Sequence, residues 1–286
     1  MHIEELAMNI QPLSKADVEE AQQRFDNLIK PVGSLAQLEE MTSRYAGIIG
    51  SADKKMVTVP RVRLLLLWGE AGQSGEIKAV MEGKKALTKL AKNVRAIVIP
   101  QFITGTTAGE LLEEGAMLTG EYIGEEKANL ICLGSLSPLP AVKWDSFIEE
   151  EDSLLFLEKL DSPSVAAMTG AILQAAGMRV PILLDGVSSC LAALAAAKFN
   201  RAVLQYCFAG QESLEPDAGF LLQKLGLKAP LKMNLPNGEG VGALTCLQLF
   251  DAGIKAYTEM ETFAEAGVHV EEETYSLKVQ EERKVK

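Results

Sequence analysis

The sequence contains two histidines and four cysteines in 286 residues, and this scarcity excludes several kinds of site. His2 and His269 have no second ligand at helical spacing, so we expect no metal site. Any general base is therefore expected to be a carboxylate or a lysine. The cysteines lie far apart in apolar surroundings, which favours reduced, buried thiols over disulfides: Cys132, Cys190, Cys207 and Cys246.

Basic residues are also in the minority, because 28 of them face 39 acidic residues and leave a net charge of −11. Such a chain repels nucleic-acid phosphates and anionic lipid surfaces, so we expect neither a nucleic-acid nor a membrane partner. No apolar run approaches the roughly 18 residues that cross a bilayer. Residues 1–10 have no signal-peptide pattern. The expected location is the cytoplasm, and no cofactor is indicated.

Hydrophobic residues make up 48 % of the chain, and short apolar runs recur with helix-like stretches between them. Continuous apolar runs of this length are typical of parallel strands covered by helices on both faces. Five runs are clear and the sixth is weaker: RLLLLW (63–68), AIVIP (96–100), NLICLG (129–134), VPILLDG (180–186), VLQYCF (203–208) and LKMNL (231–235). We predict an α/β fold, doubly wound, with a mainly parallel sheet of about six strands. Ligands of such sheets bind beyond the carboxyl ends of the strands.

The two ends of the chain carry helical periodicity. Residues 14–30 and 35–50 predict helices separated by the KPVGSL punctuation, and residues 252–267 predict another. We therefore predict that residues 1–50 and 251–286 form a small helical lobe and that residues 51–250 form the α/β nucleotide-binding domain. The charged end after residue 270 is expected to fray.

Glu239 lies in the stretch LPNGEGVGALTC (235–246), directly before a helix predicted to begin near Val241. Three glycines surround it: Gly238, Gly240 and Gly242. Glycines allow close backbone approach, and amides at a helix N-terminus attract negative charge. The residues alone leave two interpretations. Glu239 either stabilises the start of the helix or belongs to a binding or catalytic site.

Two other predicted strands end in small or polar residues. In ILLDGVSSC (182–190), Asp185 could hold a ribose hydroxyl or cap the following helix. Ser188 and Ser189 could contact phosphate or only satisfy free amides of that helix. FITGTTAGE (102–110) could cradle an anion or form an ordinary solvated turn.

Three longer stretches, residues 24–50, 165–194 and 213–268, closely resemble the nicotinate-nucleotide dimethylbenzimidazole phosphoribosyltransferase family. The most specific elements are KP-x-GSL, the LLDG turn, a Ser-x-Glu-Pro stretch and the GEG-x-GA loop. The resemblance implies transfer of phosphoribose from nicotinate mononucleotide to an aromatic base that becomes the lower ligand of a cobamide. It places Glu239 where the family keeps its general base. Because the pyridinium of the donor is already a cationic leaving group, only the acceptor's proton has to be removed.

Departures from the family pattern concentrate around the donor. The family's Asp-His-Gly-Val turn is replaced by WGEAG (68–72), with Glu70 at the acidic position. The family's loop for ribose and phosphate is replaced by GSLSPLPA (134–141), in which Ser135 stands where the family has glutamate. Pro138 and Pro140 each remove an amide donor that a phosphate cradle would need.

On these grounds we predict Glu239 as the catalytic residue and a set of substrate-binding residues around it. That set is Gly238, Gly240, Gly242, Asp185, Gly186, Ser188, Gly134, Ser135 and Glu70.

The damaged donor pocket beside an intact base loop suggests a specialised paralogue. Family enzymes are dimers, and some relatives that use phenolic acceptors have two unlike subunits. We therefore expect this chain to form a heterodimer with a more complete homologous subunit and to act on phenol, p-cresol or dimethylbenzimidazole. The alternatives are an independent homodimer with a rebuilt donor loop, a noncatalytic structural subunit that completes a catalytic paralogue, and a nucleotide-binding regulator.

Overall fold

The computed structural model describes residues 3–139 and 148–268. Five strands form one sheet in the order β2-β1-β3-β4-β5, and every pairing is parallel. The strands are β1 (Arg63–Gly69), β2 (Ala96–Phe102), β3 (Leu130–Ser135), β4 (Ile182–Leu184) and β5 (Cys207–Ala209). Each falls within or overlaps one of the five clear apolar runs, so the predicted α/β class with a parallel sheet is confirmed.

β1 explains why a strand here is apolar at consecutive positions. It pairs with β2 from Arg63↔Ala96 onward and with β3 from Arg63↔Leu130 onward. Since both edges are paired and both faces are covered, the whole of β1 is buried.

From β1 onward, helices alternate with the strands along the chain. They are α1 (Ile3–Met8), α2 (Lys15–Asn27), α3 (Gln37–Ile49), α4 (Ser74–Met81), α5 (Ala86–Asn93), α6 (Ala108–Gly124), α7 (Ser153–Leu160), α8 (Pro163–Gly177), α9 (Gly186–Phe199), α10 (Ala218–Leu225) and α11 (Val241–Glu259). α11 begins at Val241, as predicted. Within the described part of the chain, no helix is both long and apolar enough to span a bilayer.

α6 and α8 cross with their backbones in direct contact. A methyl group on Gly170 would lie 1.9 Å from the carbonyl oxygen of Leu112, and one on Gly115 would lie 1.8 Å from that of Ala167. Only glycine fits at these two positions. α8 in turn packs on β1, β3 and β4, so this crossing holds one helical layer on the sheet.

The weak sixth strand is a correction to the prediction, because residues 231–235 form no strand. The carbonyl of Leu231 accepts from the amide of Glu212, and that of Leu235 accepts from the amide of Leu214. The two hydrogen bonds are two residues apart on the segment of Glu212 and Leu214 but four residues apart on the segment 231–235. Because these spacings differ, the two segments cannot form a regular β-ladder. The loop that follows is held near the sheet without belonging to it.

The predicted helix over residues 252–267 is also shorter than expected, since α11 ends at Glu259. The guanidinium of Arg24 donates to the carbonyls of Tyr257 and Met260 at 2.9 and 3.0 Å. These contacts satisfy carbonyls at the helix C-terminus. Thr262 then forms an antiparallel bridge with Leu28.

The chain divides into two compact units, Met1–Pro12 with Pro60–Gln248 and Leu13–Val59 with Leu249–Lys286. The first carries the sheet. Its opening residues belong to it because the Asn200 side chain donates to the carbonyls of Ala7 and Ile10. The predicted helical lobe of residues 1–50 and 251–286 and the predicted nucleotide-binding domain of residues 51–250 stay predictions. The charged end after residue 270, which is expected to fray, lies outside the described residues.

Candidate active site

The candidate residues gather at the carboxyl edge of the sheet. In the strand order 2-1-3-4-5 the winding direction reverses between β1 and β3, and ligands of such sheets bind beside that reversal. Glu70 follows β1, Ser135 ends β3 and Asp185 follows β4. Glu239 lies in the loop 235–240, which we call the glycine loop. This loop lies against the ends of β3 and β4.

Close contacts fix the backbone of the glycine loop. The amide of Ser135 donates to the carbonyl of Gly238 at 2.9 Å. A methyl group on Gly134 would lie 2.8 Å from the carbonyl carbon of Glu239, and one on Gly186 would lie 2.5 Å from Cα of Gly238. The ends of β3 and β4 therefore hold the loop at contact distance, which side chains at these glycines would prevent.

Asp185 anchors the far side of the loop with a fully buried carboxylate. Its Oδ2 accepts from the amides of Gly240 and Gly242 at 2.7 and 3.1 Å, and its Oδ1 accepts from Nε2 of Gln211 at 3.2 Å. Burial raises the pKa of Asp185 to about 7, against the opposing effect of these three donors. In this conformation the carboxylate is closed to substrate.

The start of the helix that follows Asp185 is occupied by a carboxylate from another segment, so the structure does not support the interpretation that Asp185 caps it. Asp185 makes no side-chain cap to α9 because its carboxylate points to the N-terminus of α11. Glu215 supplies an acceptor to α9 instead, since its Oε2 accepts from the amide of Val187 at 2.9 Å. Carboxylates of neighbouring segments thus occupy both helix starts.

Glu239 itself does not serve a helix start. Its Oε1 accepts from Nδ2 of Asn237 at 2.9 Å, and its Oε2 lies 3.5 Å from Nζ of Lys85. Two amides at the start of α11 donate to Asp185 instead. Since 24 % of the Glu239 side chain is exposed, the carboxylate is held in place and still open to a ligand. The helix-stabilising interpretation of Glu239 is therefore not supported.

Lys85 was missed by the sequence reasoning. It precedes α5 and pairs with both Glu239 and Glu76. The hydrogen bond with Glu76 raises the pKa of the lysine, so it is a cation at neutral pH. Because 154 residues separate it from Glu239, no local pattern predicts this contact.

The other predicted substrate-binding residues differ in burial and in hydrogen bonding. The buried hydroxyl of Ser135 bonds to Ser164 Oγ at 3.2 Å and accepts from the amide of Ser137. Ser188 is buried near the start of α9, and Glu70 is half-buried after β1. Among the described residues, neither Glu70 nor Ser188 hydrogen-bonds to the glycine loop. Pro140 lies outside the described residues.

Carboxylates of α6 accept the hydrogen bonds of the amides in the turn at 102–110. Glu114 accepts from the amides of Thr104 and Gly105, and Glu110 accepts from those of Thr106 and Thr107. Amides that an external anion would need are therefore occupied. This arrangement favours the ordinary turn over an anion cradle.

Comparison with known proteins identifies the family of the chain. A sequence model described as phosphoribosyltransferase matches residues 10–108 and 89–268. Nicotinate-nucleotide–dimethylbenzimidazole phosphoribosyltransferase of Citrifermentans bemidjiense is 28 % identical over 344 aligned positions, covering 93 % of this chain and 98 % of that protein. The enzyme of the same name from Ruminiclostridium cellulolyticum is 27 % identical, with 94 % and 98 % covered. The chain belongs to the nicotinate-nucleotide–dimethylbenzimidazole phosphoribosyltransferase family.

A solved structure of this family shares the fold. The enzyme of that name from Thermus thermophilus superposes with a TM-score of 0.78 at 20 % identity, covering 90 % of this chain and all of that one. The alignment with the Citrifermentans enzyme has more positions than this chain has residues, so the relative contains segments that this chain lacks.

Proposed function

We propose that this chain is a subunit of a phosphoribosyltransferase that moves phosphoribose from nicotinate mononucleotide to an aromatic base for the lower ligand of a cobamide. The observation that carries the proposal is Glu239, an accessible carboxylate held by Asn237 and Lys85 on a loop locked to the sheet edge. Such a group suits a general base. The names of its relatives support the donor and the reaction class.

With a phenol as acceptor, the proton of the O–H group passes to the Glu239 carboxylate while the phenolic oxygen bonds to the anomeric carbon. The bond from that carbon to the nicotinate nitrogen breaks, and its electron pair stays on nitrogen. The products are the phenolic riboside phosphate, nicotinate and one proton, which Glu239 releases to water. The chain supplies the base, and Asp185 positions the loop that carries it without contacting substrate.

We further propose that the working enzyme is a heterodimer with a homologous subunit that has an intact donor loop. In this chain Ser135 lies in the segment that replaces the family's donor loop. Its hydroxyl is buried and is hydrogen-bonded to Ser164 Oγ. It therefore offers little to a donor phosphate. This observation also favours the second candidate function, a noncatalytic subunit that completes the partner's site.

Nicotinate release distinguishes these functions. The chain is assayed alone and with its homologous subunit, using phenol, p-cresol or dimethylbenzimidazole. We expect turnover only in the complex and a loss of about a hundredfold or more in Glu239→Gln. Glu121→Gln, which removes the same charge from an exposed position on α6, should retain activity. Full activity of the chain alone would overturn the partner requirement. An active complex unaffected by Glu239→Gln would support the noncatalytic role.

A further inference from the structure

Lys85 approaches the proposed base from a separate segment of the chain. Its backbone is fixed at the start of α5, where the hydroxyl of Thr88 donates to the carbonyl of Lys85 at 2.7 Å. Its ammonium pairs with Glu76 and lies 3.5 Å from Oε2 of Glu239. The two side chains of the Glu239 pair are about equally exposed, 26 % for Lys85 and 24 % for Glu239, so both are open to the same ligand.

Resting on the function proposed above, we propose that Lys85 determines the class of acceptor and selects a phenolic oxygen over an azole nitrogen. An oxygen atom at about 2.8 Å from both groups fits between an amine and a carboxylate oxygen that are 3.5 Å apart. A phenolic hydroxyl uses both contacts at one atom. It donates its proton to Glu239 and accepts a hydrogen bond from Lys85.

The charge that develops on the acceptor during transfer also favours a phenol over an azole. A phenolic oxygen gains negative charge as its proton leaves, and the ammonium of Lys85 stabilises that charge. An azole that attacks through its unprotonated nitrogen gains positive charge, and its N–H proton lies on a different atom. A fixed cation beside the base disfavours that acceptor. Lys85 therefore lowers the barrier for one class and raises it for the other.

The local charge can be changed in both directions. Lys85→Met removes the cation, while Glu76→Gln keeps it and removes a competing carboxylate. Lys84 provides a matched control one residue away, because it pairs with Glu82 and 72 % of its side chain is exposed. Lys84→Met changes the net charge as Lys85→Met does. Lys85→Arg preserves the cation with a different shape.

The experiment compares kcat/KM for phenol with kcat/KM for dimethylbenzimidazole in the assembled enzyme, with nicotinate mononucleotide as donor. We expect the ratio of phenol to dimethylbenzimidazole to fall about tenfold or more in Lys85→Met and to rise in Glu76→Gln. The same ratio should stay within about twofold of the wild-type value in Lys84→Met. In Lys85→Arg it should lie closer to the wild-type value than in Lys85→Met. The KM for the donor should not change.

The outcomes separate this inference from the function on which it rests. Transfer that continues with an unchanged acceptor ratio in both Lys85→Met and Glu76→Gln would overturn the selection by Lys85 alone. Equal losses for both acceptors in Lys85→Met would also overturn it, because they would indicate a structural effect. Absence of transfer to any acceptor by the wild-type complex would overturn the proposed function and this inference together.

Discussion

The carboxylate of Asp185 accepts a hydrogen bond from the amide of Gly240, the residue directly after Glu239, at 2.7 Å. This contact joins the end of β4 to a loop 55 residues further along the chain. The position of Glu239 therefore depends on a buried acid that does not itself face solvent.

Replacing Asp185 by Ala should destabilise the fold. The amides of Gly240 and Gly242 and the side chain of Gln211 would lose their acceptor in a buried place, which costs about 3 kcal/mol or more. Urea unfolding measures this loss as a lower midpoint with an unchanged slope. A loss below about 1 kcal/mol would contradict the geometry described for Asp185.

The stability should also depend on pH through Asp185. Burial raises its pKa to about 7, whereas an aspartate in an unfolded chain has a pKa near 4. The folded protein therefore binds this proton more tightly, so the contribution to stability is full below about pH 4 and is lost as the pH rises through about 7.

The matched variant is Asp185→Asn, which does not titrate. We expect the free energy of unfolding of the wild type, minus that of this variant, to fall as the pH rises from about 5.5 to about 8. Urea unfolding over this range, which stays above the isoelectric point of 4.9, measures the difference. A difference that is constant or that rises with pH would show that burial does not raise this pKa.

Gly240 requires glycine for two reasons. Its φ of +98° is unfavourable for other residues, and an added methyl group would lie 2.6 Å from the side chain of Leu65. We expect Gly240→Ala to lose about 1–3 kcal/mol of stability. Gly75→Ala in α4, where nothing lies within 4 Å of the new methyl group, should be neutral or slightly stabilising. Thermal unfolding of both variants tests the contrast, which would disappear if the glycine loop adapts freely.

The sequence predicted what local pattern determines. The leucines at 64–67 in β1 and the start of α11 at Val241 follow from hydrophobic runs and from glycine punctuation, which act over a few residues. The segment 231–235 was wrongly predicted as a strand because its composition is apolar, whereas pairing needs a matching register from a distant partner.

The candidate site was predicted in its parts but not in its contacts. The family resemblance indicated Glu239 and Asp185, yet the capping of α11 by Asp185 and of α9 by Glu215 involves segments far apart in sequence. The pairing of Lys85 with Glu239 is of the same kind. Such contacts depend on the topology of the sheet, and a single sequence carries no local signal for them.

The crossing of α6 and α8 should be very sensitive to added volume. Gly170→Ala places a methyl group 1.9 Å from a backbone oxygen, so one helix must move away from the other. We expect a loss of about 2 kcal/mol or more, measured by thermal unfolding. Gly109→Ala in α6, which has open space around the new methyl group, should not be destabilised. Equal stability of the two variants would mean that the helices do not contact through their backbones.

The Lys30 of the KP-x-GSL element forms a buried ion pair with Glu39. Their charged atoms are 2.8 Å apart, and the two side chains are only 6 % and 3 % exposed. Oε1 of Glu39 also accepts from the amide of Leu35, so the pair ties the turn to α3. The ion pair therefore gives this motif a structural role, because it fixes the turn before α3.

Glu39→Gln would leave the ammonium of Lys30 buried without a counterion, and we expect a loss of about 3–5 kcal/mol in urea unfolding. Glu82→Gln, which breaks the exposed pair with Lys84, should cost less than about 1 kcal/mol. Adding Lys30→Met to Glu39→Gln should recover part of the loss, because no uncompensated charge then remains. If the double variant is as unstable as the sum of its single changes, the two groups do not interact and the burial of the pair is not what fixes this turn.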